Sequence, residues 1–424
     1  MLKKTLLLVS IPFFVQAMTI TALLDALGHR PENRLDRLNV EQSALGEQVL
    51  SDKLMPTVDL FAGYEVYSSP NGLLPVAPNE LIKMVQDQSI GQPFSEHITR
   101  EGVTFTWPLF VKSIYTLKEK AKLLHLASKE KHKLNLIERQ AVVVGSVAQL
   151  RYLESLRKAL LAKKHSILQT SVTTKIMVEK GRAAPSALFV LNSHINDIDI
   201  ALNSIAQHIN LLQSKIETLT AVHLKKSMPL RLKRHVRKGE IFALKPLKAK
   251  VKASKKGIQA ADEAYIPSIV TKGNYSYSQA NAYNNGNAVR ENFGMAGIYL
   301  SMPIFDHSKS TASQMAKVDY MKEKTALDQT RHTLKVEAKQ LEREIVLLRK
   351  SLKLAQKSVV EQQKLLKIAK VSFKDERMTE EEYLRYENAL ANARANFYNF
   401  EAKVWEDRAK LAVIYGNDLR EIVK

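Results

Sequence analysis

Two stretches of this chain repeat one another at a constant offset of 195 residues, and that duplication limits the possible folds more than any other feature. Thr106-Trp107-Pro108-Leu109-Phe110 returns as Ser301-Met302-Pro303-Ile304-Phe305. At the same offset Gly181 falls on Glu376, and Leu219-Thr220-Ala221 falls on Ile414-Tyr415-Gly416. An ungapped match over more than a hundred residues is the mark of a duplicated structural unit.

Each unit has the same internal grammar. An extended, Pro-containing entry comes first: Leu54-Met55-Pro56 in one and Tyr265-Ile266-Pro267 in the other. Strand-like stretches follow, Thr57–Tyr67 and Gly102–Trp107 in the first unit, Ile269–Tyr277 and Phe293–Met302 in the second. They alternate apolar and polar residues and are joined by polar, turn-forming segments, including Asn284-Asn285-Gly286-Asn287. This predicts short membrane-barrel strands with long outer loops. After each junction the pattern turns helical. Lys112 to Glu179 holds no Pro and one Gly, and Ser308 to Ile414 holds neither. Pro108 and Pro303 mark the junctions, since Pro is tolerated where a helix starts. About 68 helical residues would reach roughly 100 Å, longer than a globular domain can use.

The helical stretches carry a seven-residue period. Leu334, Leu341, Leu348, Ala355, Gln362 and Ala369 form one row, and Ala338, Ile345, Leu352, Val359, Leu366 and Phe373 the row four residues on. That seam, broken only by Gln362, predicts a left-handed coiled coil. The many alanines in 387–412 allow close helix approach.

The N-terminus reads MLKKTLLLVSIPFFVQA: two lysines, a short apolar run, then Val15-Gln16-Ala17 as a cleavage pattern. This predicts a secretory signal peptide, too short to span a bilayer. No later run of about 18 apolar residues exists, so a membrane-embedded form of the chain must be a barrel. The net charge of +21 falls to +19 without Lys3 and Lys4. An exported chain meets little nucleic acid, so the excess is expected on solvated helix faces and facing anionic lipid head groups. Cysteine is absent, which removes disulfides, thiolate metal sites and a lipidated cysteine. The organisation expected is a signal peptide (1–17), a first repeat (18–223), a basic linker (224–243) read as a solvated connection, and a second repeat (244–424). Each repeat is a short helix, two strands and a long helical hairpin. The fold class read from the residues is mixed α and β: long coiled-coil helices plus the strands of a membrane β-barrel.

With these residues in place the chain resembles the outer-membrane efflux protein (TolC) family over essentially its whole mature length. The resemblance rests on the two junctions, on the hairpin turns Glu179-Lys180-Gly181-Arg182 and Lys374-Asp375-Glu376-Arg377, and on the opening Ile20-Thr21-Ala22-Leu23-Leu24-Asp25-Ala26-Leu27. It implies a homotrimer in the outer membrane of a Gram-negative bacterium, each chain giving four strands to one shared β-barrel and two helical hairpins to a coiled-coil tunnel, with most of the chain in the periplasm. It implies an exit duct of a tripartite efflux pump or type I secretion system that alters nothing passing through. It implies docking to a periplasmic adaptor and an inner-membrane transporter through the tips, here Gly181, Arg182, Glu376, Arg377 and Thr379. Family members often have Gly at both tips; Glu376 departs from that. They often narrow the periplasmic mouth with acidic side chains after the second tip. The matching residue is Glu382, beside Glu381, while a second acidic position is Arg385 here. A second reading of Glu380-Glu381-Glu382, compatible with the first, is a helix start capped by Thr379 and favoured by the macrodipole. Tyr64, Trp107, Tyr275 and Tyr299 are the candidate membrane-interface aromatics.

No phosphate loop, nucleophile elbow, zinc helix or calcium loop occurs, so neither catalysis nor a cofactor or metal is expected. The alternative from another class is a periplasmic coiled-coil adaptor without a pore. It should show one hairpin flanked by compact, Gly-rich β domains, whereas this sequence shows two hairpins and aromatic strand pairs.

Overall fold

A computed structural model describes residues 19–375 and 377–424, so the signal peptide expected at 1–17 and the tip residue Glu376 lie outside the described residues. Contacts divide the chain into two compact units. One comprises the chain up to Leu38 with Lys129–Lys245 and Asp328–Lys424; the other comprises Asn39–Ser128 and Pro246–Leu327.

The second of these holds one antiparallel sheet of β1 (Thr57–Gly72), β2 (Phe94–Phe110), β3 (Ser268–Asn281) and β4 (Ala288–Ser301), in that order. The strands outrun the expected ones because a ladder needs backbone groups, not apolar side chains: Asn71 pairs with Ser95, Ser278 with Glu291 and Gln279 with Arg290. Register fixes the faces. Val58, Leu60, Tyr64 and Val66 lie opposite Phe105, Val103, Thr99 and His97, and Val103 lies opposite Tyr275. Ile298 and Leu300 complete this face on β4 through Thr271 and Ile269. Leu60 is 86% exposed and Ile298 72%, so in the single chain the apolar side chains of this face are largely uncovered by the described residues. The opposite face carries Asp59, Glu65, Arg100, Thr104, Lys272, Asn274, Ser276, Ser278 and Glu291. Between β1 and β2 lies a short helix, α3 (Pro78–Gln86), in a stretch the sequence presents as loop. The Asn-rich turn ties this loop down: Asn284 receives a hydrogen bond from the Gln92 backbone N–H (3.0 Å) and donates to the Ile90 carbonyl (3.0 Å).

In the same unit four helical segments lie side by side in the order of the strands. They belong to α2 (Pro31–Asp52), α4 (Lys112–Glu179), α6 (Lys245–Asp262) and α7 (His307–Lys374). Ser43 meets His125 (2.9 Å), Lys256 meets Glu119 (2.6 Å) and Ser313 meets Asp262 (2.6 Å), linking the neighbours in turn.

The helical unit orders its long helices α5 (Ser186–Thr220), α4, α8 (Glu380–Tyr415) and α7. Lys164 pairs with Asp199 (2.6 Å) between α4 and α5; Arg151 pairs with Glu401 (3.1 Å) between α4 and α8; Tyr415 donates to Glu342 (3.1 Å) between α8 and α7. The predicted seam is real: Ala338, Leu341, Ile345 and Ala369 are buried, the first three against Leu411 and Ile414. The alanine run of α8 buries Ala393, Ala395, Ala402, Ala409 and Ala412. The main core joins Val143, Val147 and Leu150 of α4 to Ile216 and Trp405, and is closed by α1 (Ile20–Ala26) and α9 (Leu419–Ile422).

The duplication holds in detail. α4 and α7 each have 68 residues and begin and end at matching positions. The linker is not a merely solvated connection. Leu224, Met228 and Leu230 are buried in the main core, and Arg231 and Lys424 exchange backbone hydrogen bonds of 2.8 and 2.9 Å. Its lysines and arginines mask an apolar rhythm that a charge count does not register.

Candidate functional site

The hairpin tips can be compared bond by bond. At the first, α4 ends with the Arg182 N–H donating to the Met177 carbonyl (2.7 Å) around Gly181, whose φ is +69°. This is the six-to-one closure of a helix that ends in a left-handed residue. At the second, the Arg377 N–H donates to the Ser372 carbonyl (2.8 Å), the same bond displaced by 195 residues. The far ends of the hairpins match too. Ala221 (φ +58°) and Gly416 (φ +71°) both cap their helices in the left-handed region. For Ala221 that conformation costs on the order of 1 kcal/mol, because its Cβ crowds the following carbonyl.

Past the second tip Thr379 opens α8 with a reciprocal capping box. Its hydroxyl accepts from the Glu382 N–H (3.3 Å), and the Glu382 carboxylate accepts from the Thr379 N–H (3.1 Å). Glu381 is held by Arg385 at 2.7 Å, one turn on. Both acids proposed for a constriction are thus engaged within their own helix turn, and Glu382 fulfils the capping role weighed against it.

The junctions diverge. Pro108 lies inside β2 opposite Val270, at a bulge before Phe110, whereas Pro303 follows the end of β4 at Ser301. Trp107 donates its indole N–H to the Leu54 carbonyl (3.2 Å). Of the four candidate aromatics, Tyr64, Trp107 and Tyr275 share the apolar face of the sheet. Tyr299 lies opposite Val270 on the polar face, where the Lys272 ammonium sits 5.8 Å from its ring. Strand periodicity separates alternate residues; it could not say which parity of β4 met which parity of β1 before the register was known.

One group escaped the sequence reading. Asp407 on α8 is 6% exposed, and its Oδ2 has no hydrogen-bond partner. Burial, reinforced by Glu344 across on α7, pushes its carboxyl up to about 6. Next to it Arg408 is pulled down to about 10 by burial and by Arg349. An acid among Val404, Trp405, Ala409 and Ala412 is the only signal the sequence offered.

The chain as a whole is similar to known proteins. The family model described as outer membrane efflux protein matches residues 240–417. Over that stretch the chain is similar to the outer membrane efflux protein family. No curated protein sequence matches significantly. Among solved structures, the outer membrane protein VceC of Vibrio cholerae superposes with a TM-score of 0.70 at 13% identity, over 94% of this chain and 96% of that one. The outer membrane channel CmeC of Campylobacter jejuni gives 0.70 at 15% identity, over 94% and 85%. The open-state outer membrane channel MtrE of Neisseria gonorrhoeae gives 0.68 at 16%, over 95% and 90%. At such identities the likeness establishes an efflux-protein fold for the whole chain, including the first half that the family model leaves uncovered.

Proposed function

We propose that this chain is one subunit of a homotrimeric outer-membrane exit duct, a passive conduit of a tripartite efflux pump or type I secretion system, and not an enzyme. The observation that carries this reading is the pair of open edges in each unit. β1 and β4 leave unpaired ladder groups at both margins of an apolar-faced sheet. In hydrocarbon such edges must be closed, because each unmet N–H or C=O costs several kcal/mol. Four strands are too few to close, and about eight would leave an interior filled by side chains. A pore therefore takes at least three copies. The helical unit has the same unfinished margins. Phe189, Ile200 and Leu211 line α5 at intervals of 11 residues, and Leu347, Leu354 and Ile368 line α7 at multiples of seven; all are more than 60% exposed. They suit an α5-to-α7 contact between neighbouring copies.

The conduit would sit in the outer membrane of a Gram-negative bacterium, its helical part in the periplasm. Its tips, through Gly181, Arg182, Arg377 and Thr379 with Glu376, would meet a periplasmic adaptor that links it to an inner-membrane transporter. A mouth built from Glu381, Glu382 and Arg385 would present paired rather than free carboxylates, and so weak cation selectivity. An adaptor without a pore would have one hairpin and no lipid-facing sheet. The test is planar-bilayer recording of the purified protein. Discrete conductance steps, weakly cation-selective and little changed by Glu382→Gln, are expected; a protein that inserts without conducting would sink the proposal.

A further inference from the structure

We infer that the outward side of the helices adjoining the sheet is a docking surface for anionic phospholipid head groups of the periplasmic leaflet, built on Lys112 and Lys122 of α4 and Lys252 and Lys256 of α6. The inference rests on reading the sheet as the membrane-embedded part.

The orientation comes from an aromatic contact. Phe110, the last residue of β2, lies opposite Ile269, which lies opposite the outward-facing Leu300. The ring of Phe110 stands 6.4 Å from that of Tyr115 in the first turn of α4. Tyr115 therefore continues the apolar side of the sheet onto the helix. Lys112, Tyr115, Glu119 and Lys122 follow at spacings of three, four and three, and share that stripe. From α6, Lys256 reaches across to Glu119 at 2.6 Å, and Lys252 lies one turn before it on the same side. The buried stripe of α6, made of Ala249, Ala253 and Ala260, turns inward instead. Glu119 feels this neighbourhood: the hydrogen bond and charge of Lys256, and after them the charges of Lys112 and Lys122, hold its carboxyl below the ordinary range.

Four lysines against one glutamate leave a basic surface in each chain, repeated around an assembly. α4 starts two residues after β2 ends, so Lys112 is level with the margin of the sheet. Counting along the helices at about 1.5 Å per residue, Lys256 lies roughly 9 Å, and Lys122 and Lys252 roughly 15 Å, from the sheet-side ends of α4 and α6. These depths fall within one to two Debye lengths of a charged leaflet at physiological salt, which is the range over which polybasic segments respond to anionic lipid.

The full-length protein is reconstituted into phosphatidylcholine vesicles, and insertion is scored by flotation. Spin-labelled phosphatidylglycerol and spin-labelled phosphatidylcholine then report relative association with the protein. The expected preference for phosphatidylglycerol is about threefold or more, weakening at about 1 M salt. It should fall close to parity in the Lys112→Gln, Lys122→Gln, Lys252→Gln, Lys256→Gln variant and persist when the same four are changed to Arg. A wild-type preference of one, or an unchanged preference in the Gln variant, would overturn the docking surface while leaving the duct intact. Failure of the wild type to float with neutral vesicles would instead overturn the membrane reading, and this inference with it.

Discussion

The carboxyl of Asp407 is the group whose removal should speak most clearly. It is buried beside Glu344 with one oxygen unpaired, and it titrates at about 6 in place of its usual 3.8. The folded chain therefore binds its proton more tightly than the unfolded chain does. Below about pH 3 the group is protonated in both states and costs nothing. As pH rises from about 4 to about 6 the unfolded state ionises first, stability falls, and above that range the whole penalty is present. At 1.36 kcal/mol per pH unit the penalty is about 3 kcal/mol, a net figure that already contains the opposing pull of Lys410 and Lys403. Asp407→Asn keeps the shape and removes the charge. At pH 8 it should stabilise the protein by about 2–3 kcal/mol, a rise in Tm of roughly 3 °C for a chain with about 2 cal/mol/K of unfolding entropy per residue. At pH 4 the difference should shrink to about 0.5 kcal/mol. Thermal scans of the detergent-solubilised protein at one scan rate between pH 4 and 8 measure it. A shift that is the same at every pH would refute the argument, because it would show that packing, not ionisation, separates the two proteins.

Other substitutions test other parts of the account. Ala221→Gly should stabilise by about 1 kcal/mol in a thermal scan, whereas Gly416→Ala should cost about 2–4 kcal/mol, since its Cβ would stand 2.2 Å from Cγ of Phe242 at a φ of +71°. Thr379→Ala should loosen the first turn of α8 by about 1 kcal/mol, seen as faster amide exchange at residues 380–383 and not elsewhere. Leu60→Arg, on the apolar face, should cost about 2–4 kcal/mol and deplete the membrane-assembled form on native gels; Asp59→Arg, one residue away on the polar face, should assemble normally.

What the sequence revealed and what it concealed have physical reasons. α4 was legible to its last residue because helix runs of this length cannot hide their Pro and Gly punctuation, and the seam of α7 because burial follows a seven-residue period. The second tip was harder. A duplicated turn that carries Glu376 against Gly181 looks like a broken rule, yet the Arg377-to-Ser372 bond reproduces its partner. Position 221 breaks the glycine rule in the other copy, so neither half alone displays the pattern. Strand ends were poorly placed because polar residues carry a ladder as well as apolar ones do. Glu382 was ambiguous for a different reason: a carboxylate three residues after a threonine satisfies both a cap and a charged mouth, and only the two short contacts to Thr379 show the cap.

The most direct test of the central claim is the mass of the assembly. The protein is extracted in mild detergent from isolated outer membranes and weighed intact by native mass spectrometry. The account predicts three chains per particle, because two leave a filled eight-stranded barrel and one leaves open edges. A particle of one or two chains, or recovery of the protein in the soluble periplasmic fraction, would contradict it.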